Sequence, residues 1–188
     1  MLQQELSAVF HTTQSFKWDS QGGFKLASGF TSPYYVDCRT LMAFPHARRL
    51  VAQLAHEMTR DVEIECLGGL EIGAISIATS ISDFAYAATP RREWRTFFVR
   101  KQAKDHGLGR LVEGVVRAGD RALVVDDVLT SGGSVLKAIA AAREAGLQVQ
   151  DVLVIVDRKE QDGRARIEQE QVRVRSLLTI DDLMQARS

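Results

Sequence analysis

The chain has 188 residues, a length that suits one domain of ~100–200 residues with a core large enough to need no disulfide or metal staple. Its 24 Lys+Arg balance 24 Asp+Glu, which argues against bulk attraction to nucleic acid or an anionic membrane, so any bound anion must be held by a local cluster. Hydrophobic residues at 45% and charged residues at 26% exclude a disordered or collagen-like chain, and the isolated Cys38 and Cys66 form neither a zinc motif nor a secreted disulfide framework.

The first residues, Met1 to Glu5, lack a basic segment followed by an apolar core, so no signal peptide is read and a reducing, cytoplasmic compartment is expected. Residues 16–40 carry Gly22, Gly23, Gly29 and Pro33 among Phe and Tyr, which predicts short antiparallel strands and turns in a small accessory lobe. His46–Arg60 follows Pro45 and spaces Leu50, Leu54, Ala55 and Met58 as a helix does. Apolar, β-branched runs recur at Ile64–Leu67, Thr96–Val99, Ala122–Val125, Val152–Val156 and Val172–Leu178, and few carry internal charge, as strands buried on both faces require. The charge-free stretch Ile72–Ser82 is far short of the ~20 residues of a membrane span. Residues 101–113 are polar, with Gly107 and Gly109 among Lys101, Lys104, His106 and Arg110, and predict a mobile loop bearing cations. Ser134–Ala145 is Ala-rich and stops at Gly146, a favoured helix C-cap. Strands alternating with helices give an α/β fold with an open parallel sheet flanked by helices, in one domain spanning 1–188.

The chemistry concentrates in Arg121-Ala-Leu-Val-Val-Asp-Asp-Val-Leu-Thr-Ser-Gly-Gly-Ser134, a strand ending in two carboxylates that runs through a hydroxyl- and glycine-rich turn into a helix. Thr130, Ser131 and Ser134, with Gly132 and Gly133, can surround a phosphate, and the helix adds unpaired N–H groups and the positive end of its dipole. Asp126 and Asp127 would repel that phosphate at contact and suit vicinal hydroxyls nearby, so a sugar with a terminal phosphate satisfies both halves. The spacing is neither GxxxxGK[ST] nor GxGxxG, which argues against the common triphosphate and dinucleotide sites. The blander reading is an acidic pair that caps a helix beside a plain Gly-Gly turn.

Leu123–Ser134 resembles the phosphoribosyl pyrophosphate (PRPP) motif of the type I phosphoribosyltransferases. Phe24–Asp37, Arg100-Lys-Gln-Ala-Lys-Asp-His-Gly107 with Glu113-Gly114, and Asp157-Arg-Lys-Glu160 are similar, in the same order, to segments of the orotate phosphoribosyltransferases in particular. The resemblance implies transfer of ribose 5-phosphate from PRPP to a ring nitrogen of orotate, giving orotidine 5'-monophosphate and pyrophosphate in pyrimidine synthesis, with Mg2+ carried by PRPP and no direct protein ligand to it. It implies that Asp126 and Asp127 face the ribose hydroxyls, and that Val128, Leu129, Thr130, Ser131, Gly132, Gly133 and Ser134 form the rest of the PRPP cradle. Arg100, Lys101, Lys104 and His106 match cations that hold pyrophosphate. Lys104, His106 and Asp127 are the implied catalytic residues, and Thr130 and Arg158 the orotate-binding ones. In the family the loop closes over the neighbouring subunit's site, which implies a homodimer. Residues 16–40 correspond to the hood over the base, where at least one of Tyr34 and Tyr35 is expected to be packing.

Three departures stand out. Ala27 replaces a Lys that some members carry, Gln102 replaces the usual Glu, and Ser76 stands where the pyrophosphate loop commonly has Pro. Glu71 lies in the same segment and is expected to point outward into solvent. The altered 71–76 loop motivates a second hypothesis, transfer to a different nucleobase. A third is a PRPP-binding regulatory protein without turnover. Arg158 itself has the alternative of a surface ion pair with Glu160 or Asp162, whereas His11, His56, Trp18 and Trp94 read as surface or packing residues.

Overall fold

The computed structural model describes residues 1–25, 29, 31–102 and 111–186. Helix α1 (Leu2–Thr12) leads into four short strands, β1 (Phe16–Trp18), β2 (Phe24–Lys25), β3 (Thr31–Ser32) and β4 (Tyr34–Val36). They pair antiparallel, β1 with β4 and β2 with β3, and so make the accessory lobe that the Gly and Pro spacing predicts. Its aromatic residues pack on each other, Trp18 against Tyr34 at 5.4 Å and Phe24 against Tyr35 at 5.8 Å between ring centroids. Helix α2 (Cys38–Ala43) starts at Asp37, whose carboxylate accepts the Arg39 and Thr40 backbone N–H groups, and α3 (Pro45–Met58) follows with Pro in its first turn.

The central domain then alternates: β5 (Cys66–Leu70), α4 (Gly73–Ala87), β6 (Arg95–Val99), β7 (Val112–Gly114), β8 (Arg121–Leu129), α5 (Gly133–Glu144), β9 (Gln148–Asp157), α6 (Gly163–Glu168), β10 (Arg173–Thr179) and α7 (Ile180–Gln185). The sheet order is β10-β9-β8-β5-β6-β7. Alternate residues of its strands feed two cores. Leu123, Val125, Leu153 and Ile155 join the core formed with α1, α3 and α4, while Ala122, Val124, Val152 and Val154 join the one under α5. Both faces are covered, which is why these strands read as continuous apolar runs. A Cβ on Gly68 would lie 2.0 Å from Phe97 O and one on Gly69 2.0 Å from Val125 O, so β5 fits between its neighbours only as a Gly-Gly strand.

Three expectations need correction. The sheet is parallel except for β7, which runs antiparallel to β6 along one edge. The polar loop therefore does not extend through 113, because Leu111, Val112 and Val116 pack against the second core and draw the chain back onto the sheet. The segment from Gly73 onward is helix α4, so the predicted 71–76 loop shrinks to Glu71–Ile72. Ala74, Ile77, Ala78, Ile81 and Ala85 of that helix are buried, a period of three to four that the uniformly apolar run conceals. Among the described residues, no helix is long and apolar enough to cross a membrane.

Candidate active site

Strand β5 is the pivot of the sheet: the chain leaves it toward β6 on one side and returns as β8 on the other. At such a reversal the helices after adjacent strands diverge and open a crevice beyond the carboxyl ends. Those ends carry the motif residues. Glu71 follows β5, Arg100 follows β6, Thr130 follows β8 and Arg158 follows β9.

Asp126 and Asp127 close β8. The Asp127 backbone N–H donates to Asp126 Oδ1 at 2.9 Å, and the Val128 N–H to Asp127 Oδ1 at 2.8 Å. Asp126 is 6% exposed, and burial, followed by the charge of Asp127, pushes its carboxyl up to about 7. Asp127 is half-buried over the first turn of α4, close enough that a Cβ on Gly73 would lie 3.2 Å from its Oδ2. Behind it the Cys38 thiol contacts Asp127 O at 3.9 Å and is held well above its ordinary range by burial and then Asp127, so it is inert packing. Leu129 is buried in the α5 core and Val128 packs against the opposite one.

Thr130 to Gly132 turn into α5. Gly132 caps the helix in the left-handed region at φ 76°, and a Cβ there would stand 3.0 Å from Gly163 O. A Cβ on Gly163 would lie 2.1 Å from Thr130 O, so the turn touches the start of α6 through glycine on both sides. Arg166 Nη1 donates to Ser131 O at 2.6 Å and fixes the turn from behind. The first N–H groups of α5 have no intrahelical acceptors. With Thr130, Ser131 and Gly133 half-buried and Ser134 exposed around them, they offer a set of donors that could hold a phosphate.

Arg158 is not the surface residue of its alternative reading. Its backbone N–H donates to Leu129 O at 3.0 Å, binding the end of β9 to β8, and the residue is 4% exposed. Nη2 donates to Ser32 Oγ at 2.6 Å and to Tyr34 O at 3.3 Å, while Nε stands 3.1 Å from Glu160 Oε2. The guanidinium thus joins the sheet to the accessory lobe.

On the other flank, the Arg100 N–H donates to Leu111 O at 2.9 Å and its guanidinium lies 4.0 Å from Glu113, with Nε buried and lacking a hydrogen-bond partner among the described residues. Lys101 is exposed. Lys104 and His106, like Ala27, lie outside the described residues. Glu71 departs from its expected solvated pose: it is half-buried and its carboxylate accepts the Lys101 N–H at 2.9 Å, linking the ends of β5 and β6. Ser76 is exposed on the first turn of α4. The sequence named Glu160 as a partner of Arg158 but placed the pair on the surface, and it missed Glu71 as a brace, Ser32 as a second partner of Arg158 and Gly163 as the wall of the turn. Only the steric demand at Gly163 leaves no trace in local pattern; Glu71 and Ser32 sit within segments already singled out.

No family model matches the chain. It is 36% identical over 184 residues to the orotate phosphoribosyltransferase of Aquifex aeolicus, covering 98% of this chain and 99% of the relative. With that of Corynebacterium glutamicum strain R it shares 40% over 162 residues, 86% of this chain and 85% of the relative. The chain belongs to the orotate phosphoribosyltransferase family. The crystal structure of the Mycobacterium tuberculosis H37Rv enzyme in complex with PRPP superposes with a TM-score of 0.77 at 33% identity, covering 98% of this chain and 99% of that one. The fold is accordingly that of the type I phosphoribosyltransferases, with β7 as its antiparallel edge and the four short strands as its hood.

Proposed function

We propose that this protein transfers the phosphoribosyl group of PRPP to orotate, giving orotidine 5'-monophosphate and pyrophosphate, as a step of pyrimidine nucleotide synthesis. The observation that carries the reading is the Asp126–Ser134 turn at the sheet's reversal point, with paired carboxylates and a phosphate cradle a few residues apart. In this reading the 5-phosphate rests on Thr130 to Ser134 and the α5 N-terminus, and Asp126 and Asp127 accept from the ribose hydroxyls. Val128 and Leu129 contribute through their backbones. Thr130 and Arg158 border the base, whose carboxylate suits a planar guanidinium.

As the bond from the anomeric carbon to pyrophosphate breaks, its electron pair leaves with the pyrophosphate and positive charge builds on the ribose. The ring nitrogen of the base forms the new bond from the opposite face with the electron pair of its N–H bond, and the proton passes to the departing pyrophosphate or to solvent. Arg100, Lys101, Lys104 and His106 stabilise the departing charge, and closure of the loop that bears Lys104 and His106 excludes water from the cationic centre. Among the described residues no group of three or more His, Cys, Asp or Glu could hold a metal ion. Two carboxylates already accepting backbone N–H groups fit hydroxyl recognition beside a substrate-borne Mg2+, which when bound neutralises pyrophosphate charge.

The chain acts as one catalytic unit within a homodimer in the cytoplasm. Supporting the dimer, Ile72, Ile75 and Tyr86 are 75%, 37% and 48% exposed on or beside α4, an apolar face that a second copy would cover. Supporting the compartment, both cysteines are free and buried. The test is the fall in orotate absorbance when the protein is added to PRPP and Mg2+, repeated with Lys104→Ala. Loss with the wild type and a much lower rate with the variant is expected; no loss with the wild type overturns the reading.

A further inference from the structure

Arg158 is nearly fully buried, yet its charge meets an imperfect partner. Glu160 Oε2 stands 3.1 Å from Nε, but the N–H is not aimed at it, and both atoms are buried without an aligned hydrogen bond. Glu160 is tethered only two residues away along the backbone, which holds its carboxylate off the best approach. Ser32 completes the triangle, accepting from Arg158 Nη2 at 2.6 Å and donating to Glu160 Oε1 at 3.3 Å. The Tyr34 ring lies 5.9 Å from the guanidinium carbon. Hood and sheet therefore meet at a buried cation whose anionic partner is a poor geometric match.

We propose that Glu160 is an internal competitor in the base subsite, a carboxylate that occupies Arg158 until the carboxylate of the incoming base displaces it. The inference rests on the reading that Arg158 receives that carboxylate. A free carboxylate can align two parallel N–H bonds with a guanidinium, which the tethered Glu160 does not. Exchange of one carboxylate for another also keeps the buried cation compensated throughout. A base lacking the carboxylate cannot make the exchange. It gains nothing from Arg158 whether or not Glu160 is in place, so loss of the Glu160 charge is expected to be felt only by a base that carries a carboxylate.

The experiment measures the KM for orotate and the inhibition constant of uracil, at saturating PRPP and Mg2+, for wild type, Glu160→Gln and Glu160→Asp. Gln keeps the shape and removes the competing charge, so the orotate KM is expected to fall by about three- to ten-fold while uracil inhibition is unchanged. Asp keeps the charge and is expected to stay within about two-fold of the wild type, given the modest change in reach. Thermal unfolding of each variant shows whether it is folded, and the Asp variant carries the test if the Gln variant is not: an orotate KM that falls on retaining the charge overturns the proposal. An orotate KM that is unchanged or raised in Glu160→Gln, or an equal shift for uracil, overturns it too and leaves the transferase reading standing. Absence of orotate turnover by the wild type removes both.

Discussion

At the scale of single residues, the site combines groups whose ordinary chemistry has been altered by where the fold places them. Asp126 is the clearest. Its folded carboxyl titrates at about 7, above the ordinary 3.8, because burial and Asp127 disfavour its charge. Between those values the folded state holds a proton that the unfolded state has released, so this group's contribution to stability is lost as pH rises from about 4 to 7. Asp126→Asn should therefore stabilise the ligand-free protein progressively over that window, by roughly 4 kcal/mol at pH 8 and almost nothing at pH 4. Thermal unfolding of both proteins across pH checks this, and a difference in Tm that does not grow with pH would refute it. Asp127→Asn should weaken PRPP binding by about 1–3 kcal/mol through loss of an ionised acceptor, read by calorimetry. Lys104→Ala should lower kcat more than it raises the KM for PRPP, since its charge matters most as the leaving group develops.

At the scale of elements, the turn from β8 into α5 depends on glycine where no other residue fits. Gly132→Ala places a side chain at positive φ and against Gly163 O, so a loss of about 1–2 kcal/mol in stability is expected from the left-handed conformation alone. Urea unfolding measures that loss, and calorimetry should show a parallel loss of PRPP affinity as the cradle shifts; unchanged affinity would mean the phosphate is held elsewhere. The motif itself was legible because strand, acids, hydroxyls and glycines are contiguous. The role of Glu71 was not, because its partner is a backbone N–H thirty positions later that only the β5–β6 pairing brings near. Helix α4 was obscured for a different reason: an apolar run without charged punctuation has no visible period, and burial against α3 and the sheet decides its state. Helix α1 also emerges only in the structure, where Leu6 and Phe10 fill the core and Ser7 and His11 bond to the Asp182 and Leu183 carbonyls near the other terminus.

At the scale of the whole molecule, the apolar face of α4 predicts association. Sedimentation should give a dimer, and Ile72→Asp with Tyr86→Asp should shift it toward monomer at micromolar concentration, since two buried charges oppose an apolar interface. A wild-type monomer would rule out the dimer. The opposite edge of the sheet is structural: Arg175 bonds Asp61, Asp151 and Met58 O, closing the amino ends of β9 and β10 onto the end of α3. The sequence by itself determined the α/β alternation, the hood as a separate lobe, the PRPP motif and the family resemblance, because each is written in contiguous residues with local physical causes. Tertiary structure alone decided the antiparallel edge at β7, the state of α4, the packing of Gly163 on Thr130 and the burial of Arg158 between Ser32 and Glu160. These depend on which distant segments share a boundary, and burial, steric contact and charge compensation there are set by neighbours that sequence order does not name.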